Sequence, residues 1–350
     1  GSGQNTLSWK KFVRARCEVE TSIKKERVNT VMLTDDRIRS QLNDTLEETS
    51  FSGLGELEKG KVRDSYKQKD RRIIVTTDRI SAFDRILGTI PFKGQVLNQV
   101  AAFWFDKTSD IVQNHVIAVP DPNVMVVKEC EQLPLEFVVR GYLTGVTKTS
   151  AWYNYEKGVR NFCGNMLAEG MVKDQKFDKP ILTPTTKLEK HDRPISRDEA
   201  IKEGLIDGDT FDAAAKICFE LFKRGQEHAA GRGLILVDTK YEIGKLDGDF
   251  VVSDEIHTPD SSRYWYTDTY DELFKAGKEQ RKLDKEYVRI WLADRGFLGD
   301  GEIPELTDEV RIEAAKRYIM AYELITGEEF EVADGAVGKR VESALGEYRV

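Results

Sequence analysis

The chain is predicted to fold as an α+β protein, on three observations. Short β-rich runs and helical stretches follow one another in mixed order, without the regular βαβ alternation of a doubly wound sheet. Two pairs of runs, 60–66 with 72–77 and 234–243 with 250–256, flank short polar turns and read as antiparallel hairpins. The C-terminal part carries helical periods closed by a glycine. With 350 residues, 40% hydrophobic and 33% charged, the composition is globular and the length allows more than one lobe.

Taken in order, residues 1–3 (Gly-Ser-Gly) read as an expression scar. Up to Cys17 the leader holds Lys10, Lys11, Arg14 and Arg16 and no acid. A transit-peptide remnant, a disordered tail or upstream sequence ahead of Met32 all have this composition, and no fold is expected before about residue 32. Residues 36–48 suit a short helix. The first hairpin turns at 67–70, and 78–84 read as a polar loop. Residues 97–105 offer a bulky apolar helix face; 124–127 and 137–139 are short strands; 150–156 and 211–222 are helices. The stretch 159–195 has little periodicity and several Gly and Pro, so it reads as a long loop. After the second hairpin, Asp284 is placed as a cap ahead of Tyr287, Ile290 and Trp291. Asp308 takes that place ahead of Ile312, Ala315, Ile319 and Tyr322, with Gly327 as the stop.

Charge and cysteine usage exclude several classes. Fifty-three basic against 61 acidic residues give −8, which argues against nucleic acid as a partner, and no apolar run approaches the roughly 18 residues of a membrane span. Cys17, Cys130, Cys163 and Cys218 are dispersed without a C-x-x-C pair, and the four histidines form no H-E-x-x-H. That predicts a reducing compartment, no disulfide framework and no zinc site. Residues 55–62 match G-x-x-x-x-G-K, but Val62 stands where a hydroxyl is needed, two glutamates occupy the loop, and a strand follows instead of a helix. It is no Walker A loop. Lys61 and Arg63, on one face of the expected strand, are still placed to reach phosphates.

The segment 234–242 is more informative. Strand alternation puts Leu234, Leu236, Asp238, Lys240 and Glu242 on one face, so that face turns from apolar to charged at one end. A three-residue loop with Gly248 in the left-handed position would pair Lys245 with Asp249 and gather Asp238, Glu242 and Asp254 about Lys240. A two-residue Asp247-Gly248 turn in regular register would instead pair Leu246 with Asp249 and send Asp254 to the other face. Three carboxylates about one ammonium call for a further cation, and Mg²⁺ takes one or two carboxylates together with substrate phosphates. Three more segments are rich in anion-binding groups: Arg140 before Gly141, Thr183-Pro184-Thr185-Thr186-Lys187, and Pro259-Asp260-Ser261-Ser262-Arg263.

Together the motifs carry a resemblance. Gly60-Lys61-Val62-Arg63-Asp64, Thr77-Asp78-Arg79-Ile80-Ser81-Ala82-Phe83-Asp84, Pro91-Phe92-Lys93-Gly94 and Val138-Val139-Arg140-Gly141-Tyr142 come first. Leu236-Val237-Asp238-Thr239-Lys240-Tyr241-Glu242 and Asp254-Glu255-Ile256-His257-Thr258-Pro259-Asp260-Ser261-Ser262-Arg263 follow. From about residue 50 to 325 the chain closely resembles the SAICAR synthetase (phosphoribosylaminoimidazole-succinocarboxamide synthase) family of de novo purine synthesis.

The resemblance implies ATP-dependent amide formation: the carboxylate of carboxyaminoimidazole ribonucleotide is phosphorylated, and the amine of L-aspartate displaces phosphate. It implies Lys61 and Arg63 at the ATP phosphates and Mg²⁺ on Glu242 and Asp254. Lys240, Arg263 and Asp238 become catalytic, and Arg140, Lys187, Asp78, Ser81 and Asp260 bind ribonucleotide or aspartate. Where the family often has Gly-Ser-Ala-Trp, this chain has a longer run after Gly145, so the phosphate-binding hydroxyl is Ser150 or Thr147. The implied fold is two-lobed and ATP-grasp-like, with an antiparallel ATP lobe over 32–134 and a larger substrate and metal lobe with C-terminal helices over 135–350. The partners implied are small molecules only, in the cytoplasm, or in the plastid stroma if the leader is a transit-peptide remnant. A small-molecule phosphotransferase would use the same ATP and Mg²⁺ site but release ADP without L-aspartate; an inactive binding protein would turn over no ATP.

Overall fold

The computed structural model describes residues 33–83, 85–187, 192–283 and 286–350. The leader and the Asp284 cap lie outside them. Helix α1 (Asp35–Ser40) is shorter than expected, giving way to a turn after Ser40. Strands β1 (Glu56–Lys59), β2 (Arg63–Lys67) and β3 (Arg71–Thr76) follow. The 78–84 loop is instead half of a hairpin, β4 (Arg79–Ala82) with β5 (Arg85–Thr89), turning at Phe83 in the left-handed region. Its polar residues misled because they are buried by pairing: Arg79, 4% exposed, lies on Asp64, which is wholly buried.

Helix α2 (Lys93–Lys107) leads to β6 (Gln113–Asn114), β7 (Val116–Asp121) and β8 (Val124–Lys128). The first sheet runs β1-β2-β3-β8-β7, antiparallel throughout. Strand β1 escaped the sequence reading because its Glu-Leu-Glu-Lys run is almost wholly exposed.

The second sheet is built on two long strands. β9 (Glu131–Leu143) absorbs the short 137–139 run, and helix α3 (Ala151–Glu156) follows it. The 159–195 stretch is not a single long loop. It holds β10 (Asn161–Phe162), β11 (Asn165–Met166), β12 (Gln175–Leu182) and β13 (Thr185–Thr186), the last two pairing with β9. The irregular register of β12 and its charges at Lys176, Asp178 and Lys179 are those of an edge strand, which shows no clean alternation. After α4 (Arg197–Lys202) and α5 (Gly208–Gly231), capped by Asp207, come β14 (Leu234–Leu246), β15 (Asp249–Ser253) and β16 (Ser262–Tyr266). The order is β12-β9-β14-β15-β6, with β16 also on β14, and only β6 pairs in parallel. Helix α5 packs on β14 and β9.

Helices α6 (Thr267–Lys275), α7 (Glu286–Ala293), α8 (Asp308–Thr326) and α9 (Val337–Ala344) close the chain. The cap of α8 is Thr307, which accepts from the Val310 amide, one residue before the expected Asp308; Gly327 ends it at φ 83°. Helix α8 packs on α2. The last helix departs from its expected place on the larger lobe. Val337, Val341 and Leu345 join Leu46, Leu54, Tyr66, Ile73, Val75, Val124 and Val126 in the core of the first sheet, where their i, i+4 stripe finds an apolar face. Among the described residues no helix is long and apolar enough to cross a membrane.

Two buried histidines make the stability of this fold depend on pH. His257 stands edge-on to Trp104 at 4.5 Å and shares a 2.5 Å hydrogen bond with the Tyr241 hydroxyl. Burial pushes its imidazole down to about 3, and burial does the same to His115. The unfolded chain protonates near 6.5 and the native one does not, so each histidine removes about 1.4 kcal/mol per pH unit as pH falls below that value. Asp78 acts in the opposite sense, since burial raises its carboxyl to about 6 and the native state takes that proton first. Asp174 and Glu323, whose carboxyls burial also raises, act with Asp78, and the two histidines, displaced furthest, outweigh them down to pH 5. The melting temperature should fall from pH 7 to 5, less steeply in His115→Gln; equal slopes in the two proteins would contradict this.

Candidate active site

Strands β9 and β14 place the charged groups. Their register sets Asp238 opposite Arg140, Lys240 opposite Val138 and Glu242 opposite Glu136. Side chains of one parity therefore share a face, while Thr239 and Tyr241 fill the core behind it.

The β14–β15 register differs from the expected one. Asp247 (φ 51°) and Gly248 (φ 93°) form a two-residue turn, Leu246 pairs with Asp249, and Glu242 pairs with Ser253. In continued register Asp254 would face away. It leaves the strand instead, at φ 62°, and its Oδ2 comes within 3.7 Å of the Lys240 ammonium. Glu242 and Asp254 thus meet at Lys240 by a backbone change that alternation does not contain.

This first cluster is charge-compensated. Lys240 Nζ donates to Glu242 Oε1 at 2.7 Å and Glu136 Oε1 at 2.9 Å; Lys187 Nζ donates to Glu242 Oε2. Arg63 holds Asp254 through Nη1 and Glu255 through Nη2, the latter at 2.6 Å. Burial works against the charge on Lys240, but Glu242, Asp254 and Glu136 outweigh it and hold its pKa well above the ordinary value. Burial likewise opposes the charge on Arg63, and Asp254 with Glu255 raises its pKa regardless. Both stay cationic and neither is a base. The repelling carboxylates of the sequence reading have their counter-cations in Lys187, Lys240 and Arg63.

The second cluster centres on Asp238. Its Oδ2 accepts from Arg140 Nη1 at 3.2 Å and from Arg263 Nη1. Arg140, 4% exposed, also donates to Thr183 Oγ1 at 2.7 Å and the Thr149 carbonyl at 3.0 Å. Burial lowers its pKa, and Arg263 adds to that against the pull of Asp238. Gly145, at φ +94°, makes room for this group: a Cβ there would lie 2.4 Å from Ser150 Oγ and 3.0 Å from Arg263 Nη2.

Each cluster opens into a cleft. One of about 470 Å³ is lined by Lys61, Arg63, Arg72, His115, Lys187, Glu242 and Asp254 among others. A second of about 220 Å³ is lined by Arg140, Thr147, Ser150, Asp238, Lys240, Asp260, Arg263 and Arg289 among others. Lys240 lines the second and bonds Glu242 on the wall of the first, so the clefts adjoin through its side chain.

Most of the expected residues come together, with four differences. Lys61 sits in the turn between β1 and β2, not on a strand. Lys187 belongs to the first cleft with Glu242, not to the second among the ribonucleotide candidates. Asp78 is not at either cleft: its oxygens accept from the Leu46 and Gly94 amides, each at 2.8 Å, so the carboxylate braces three segments. Ser81, half-buried on β4, also lines neither. Asp260 lines the second cleft, with Oδ2 on Lys93 Nζ at 2.9 Å and Oδ1 on the Tyr318 hydroxyl at 2.8 Å. Ser150 and Thr147 both line it, their hydroxyls 2.7 Å apart. The sequence reading gave no role to Glu136, Glu255 and Arg289, and named Thr183 only within an anion-binding run. Glu136 was in reach of it, being two positions of equal parity before Arg140 on the same strand.

Fold and site together define a class: an α+β protein of antiparallel sheets and flanking helices, with two cation-lined clefts adjoining at one lysine. The SAICAR synthetase family model matches residues 56–302, and the chain belongs to that family. It is 51% identical over 287 residues to the phosphoribosylaminoimidazole-succinocarboxamide synthase of Legionella pneumophila (strain Paris), covering 81% of this chain and 92% of that one. To the chloroplastic synthase of Arabidopsis thaliana it is 48% identical over 301 residues, covering 84% and 73%. The SAICAR synthase of Saccharomyces cerevisiae complexed with SAICAR superposes with a TM-score of 0.73 at 31% identity, over 82% of this chain and all of that one. A SAICAR synthetase (type 2) in complex with ADP superposes at 0.60 with 26% identity, over 79% and 100%.

Proposed function

We propose that this protein joins the carboxylate of carboxyaminoimidazole ribonucleotide to the amine of L-aspartate, converting ATP to ADP and phosphate and yielding SAICAR. The observation that carries the reading is the adjoining of the two clefts at Lys240. A nucleotide in the first and a ribonucleotide in the second would bring phosphoryl donor and carboxylate acceptor to the same ammonium. The relatives' complexes with SAICAR and with ADP support the two ligand classes.

In this reading ATP occupies the larger cleft with its phosphates at Lys61 and Arg63, and Lys187 adds a third cation beside Glu242. Arg140, Arg263 and the Ser150 or Thr147 hydroxyl hold the ribonucleotide, with Asp238 orienting both guanidiniums. A carboxylate oxygen attacks the γ-phosphorus and ADP leaves, giving an acyl phosphate. The amine of L-aspartate then adds to the carbonyl carbon, phosphate departs with the C–O bond pair, and nitrogen loses its proton. Lys240, held protonated, stabilises the charge that builds on the transferring phosphoryl group.

The donor set of Glu242 and Asp254 fits Mg²⁺. Two carboxylates meet on a cleft wall, each oxygen has a second lone pair, and a hard ion takes such a pair together with phosphate oxygens. Among the described residues no third His, Cys, Asp or Glu completes an all-protein site. When bound there, the ion would neutralise charge on the transferring phosphates. The two-lobed, ATP-grasp-like division belongs to the same proposal, with the first sheet as ATP lobe. So does the compartment: cytoplasm, or plastid stroma if the leader is a transit-peptide remnant, as the name of the Arabidopsis relative supports.

The test is a coupled ADP-release assay with each substrate omitted in turn. ADP accumulation in steady state should require ribonucleotide and L-aspartate together; sustained release without L-aspartate would favour a phosphotransferase. Gly145→Ala should raise the ribonucleotide KM by on the order of tenfold and leave that of ATP unchanged, since the added methyl meets Ser150 and Arg263.

A further inference from the structure

The turn that carries Lys61 and Arg63 is held from behind by a motif that takes no direct part in either cleft. Arg79 Nη2 donates to the Gly60 carbonyl at 2.9 Å, and Arg79 Nε donates to the Lys61 carbonyl at 3.1 Å. The Val62 carbonyl accepts both from Thr77 Oγ1 at 2.9 Å and from the Thr77 amide at 3.0 Å. Three consecutive carbonyls of one turn therefore point toward Thr77 and Arg79. Arg79 is itself fixed, with Nη2 on Asp64 Oδ1 at 2.7 Å and Nη1 on the Glu47 carbonyl. Asp64 is held in turn at Oδ2 by the amide and hydroxyl of Thr49, at 2.7 and 3.0 Å. The bracing residues are buried, Thr77 and Asp64 completely, Thr49 to within 2% and Arg79 to within 4%.

A turn whose carbonyls are all drawn to one side has its peptide planes fixed, because each plane carries the carbonyl of one residue and the amide of the next. Fixing the carbonyls of Gly60, Lys61 and Val62 fixes the amide directions of Lys61, Val62 and Arg63, and with them the roots of the Lys61 and Arg63 side chains. Those three residues line the larger cleft. Without the brace, a turn at the edge of the sheet would sample several conformations and pay their entropy on each binding event.

We propose that Thr77 and Arg79 are positioning residues for the nucleotide, pre-ordering the Gly60–Arg63 turn against the ATP phosphates. This rests on the reading that Lys61 and Arg63 face those phosphates. The intervening Asp78 turns the other way, to the Leu46 and Gly94 amides, so the same tripeptide braces two neighbourhoods.

The experiment compares Thr77→Val, Thr77→Ser, Arg79→Lys and Lys61→Ala in the full chain, measuring the KM of all three substrates, kcat and melting temperature. Thr77→Val keeps shape and the backbone hydrogen bond but removes the hydroxyl, so the ATP KM should rise by about fivefold. The ribonucleotide and aspartate KM values should hold, and Thr77→Ser should restore the parent value. Arg79→Lys keeps charge near Asp64 but loses the fork, and should raise the ATP KM by on the order of tenfold or more. A parent-like ATP KM in Thr77→Val, or equal rises for all substrates, would overturn the positioning role while leaving the phosphate assignment intact if Lys61→Ala impairs ATP. An unchanged ATP KM in Lys61→Ala would overturn both.

Discussion

Glu242→Gln is expected to lower kcat by about a hundredfold or more while leaving the fold intact. Glu242 is 8% exposed and accepts from both Lys240 and Lys187, so the amide keeps shape but halves its capacity to accept from two ammoniums. It also removes one of the two carboxylates assigned to the metal. Charge aligned with the transition state of phosphoryl transfer is worth a loss of that order when deleted. Isolated repelling carboxylates would have gained stability from this change. Here Lys187, Lys240 and Arg63 neutralise the cluster, and removing one carboxylate leaves two ammoniums short of a partner. The melting temperature should therefore hold or fall slightly. A kcat within about threefold of the parent would remove Glu242 from the machinery, and a clear gain in melting temperature would contradict the charge accounting.

Arg140→Lys should raise the ribonucleotide KM by on the order of a hundredfold with little change in that for ATP. Arg140 divides its donors among Asp238, Thr183 and the Thr149 carbonyl, and it lines the smaller cleft. An ammonium has three donors around one point and cannot span these partners, although it keeps the charge. Buried acceptors left without donors also cost stability, about 1–3 kcal/mol each. A fall in melting temperature should accompany the kinetic effect. An equal rise in the ATP KM would move Arg140 out of the ribonucleotide site.

Charge alternation along β14 was legible because period two is local: Asp238, Lys240 and Glu242 share a face whatever their neighbours do. Non-local geometry was not. The Asp247-Gly248 turn set a register that would have separated Glu242 from Asp254, and only the left-handed backbone at Asp254 restored their meeting. No residue-type signal marks that position, since aspartate visits the left-handed region in turns of many kinds. Asp78 and Arg79 misled in the other direction. Polar residues in sequence read as a surface loop, whereas here they are buried, Arg79 bonded to Asp64 and Asp78 to two distant amides. The edge strand β12 was illegible because it packs on one neighbour only and carries its charges irregularly. The last helix shows the same limit: its stripe of Val337 and Val341 is visible, but not that the first sheet is what it covers.

The central claim is that the clefts adjoin at Lys240 so that ATP phosphorylates the ribonucleotide's own carboxylate before nitrogen attacks. Carboxyaminoimidazole ribonucleotide labelled with ¹⁸O in that carboxylate, turned over with ATP and L-aspartate, tests it directly. One labelled oxygen should leave with each inorganic phosphate released, and the other should remain in the amide carbonyl of the product. Inorganic phosphate free of label would contradict the account.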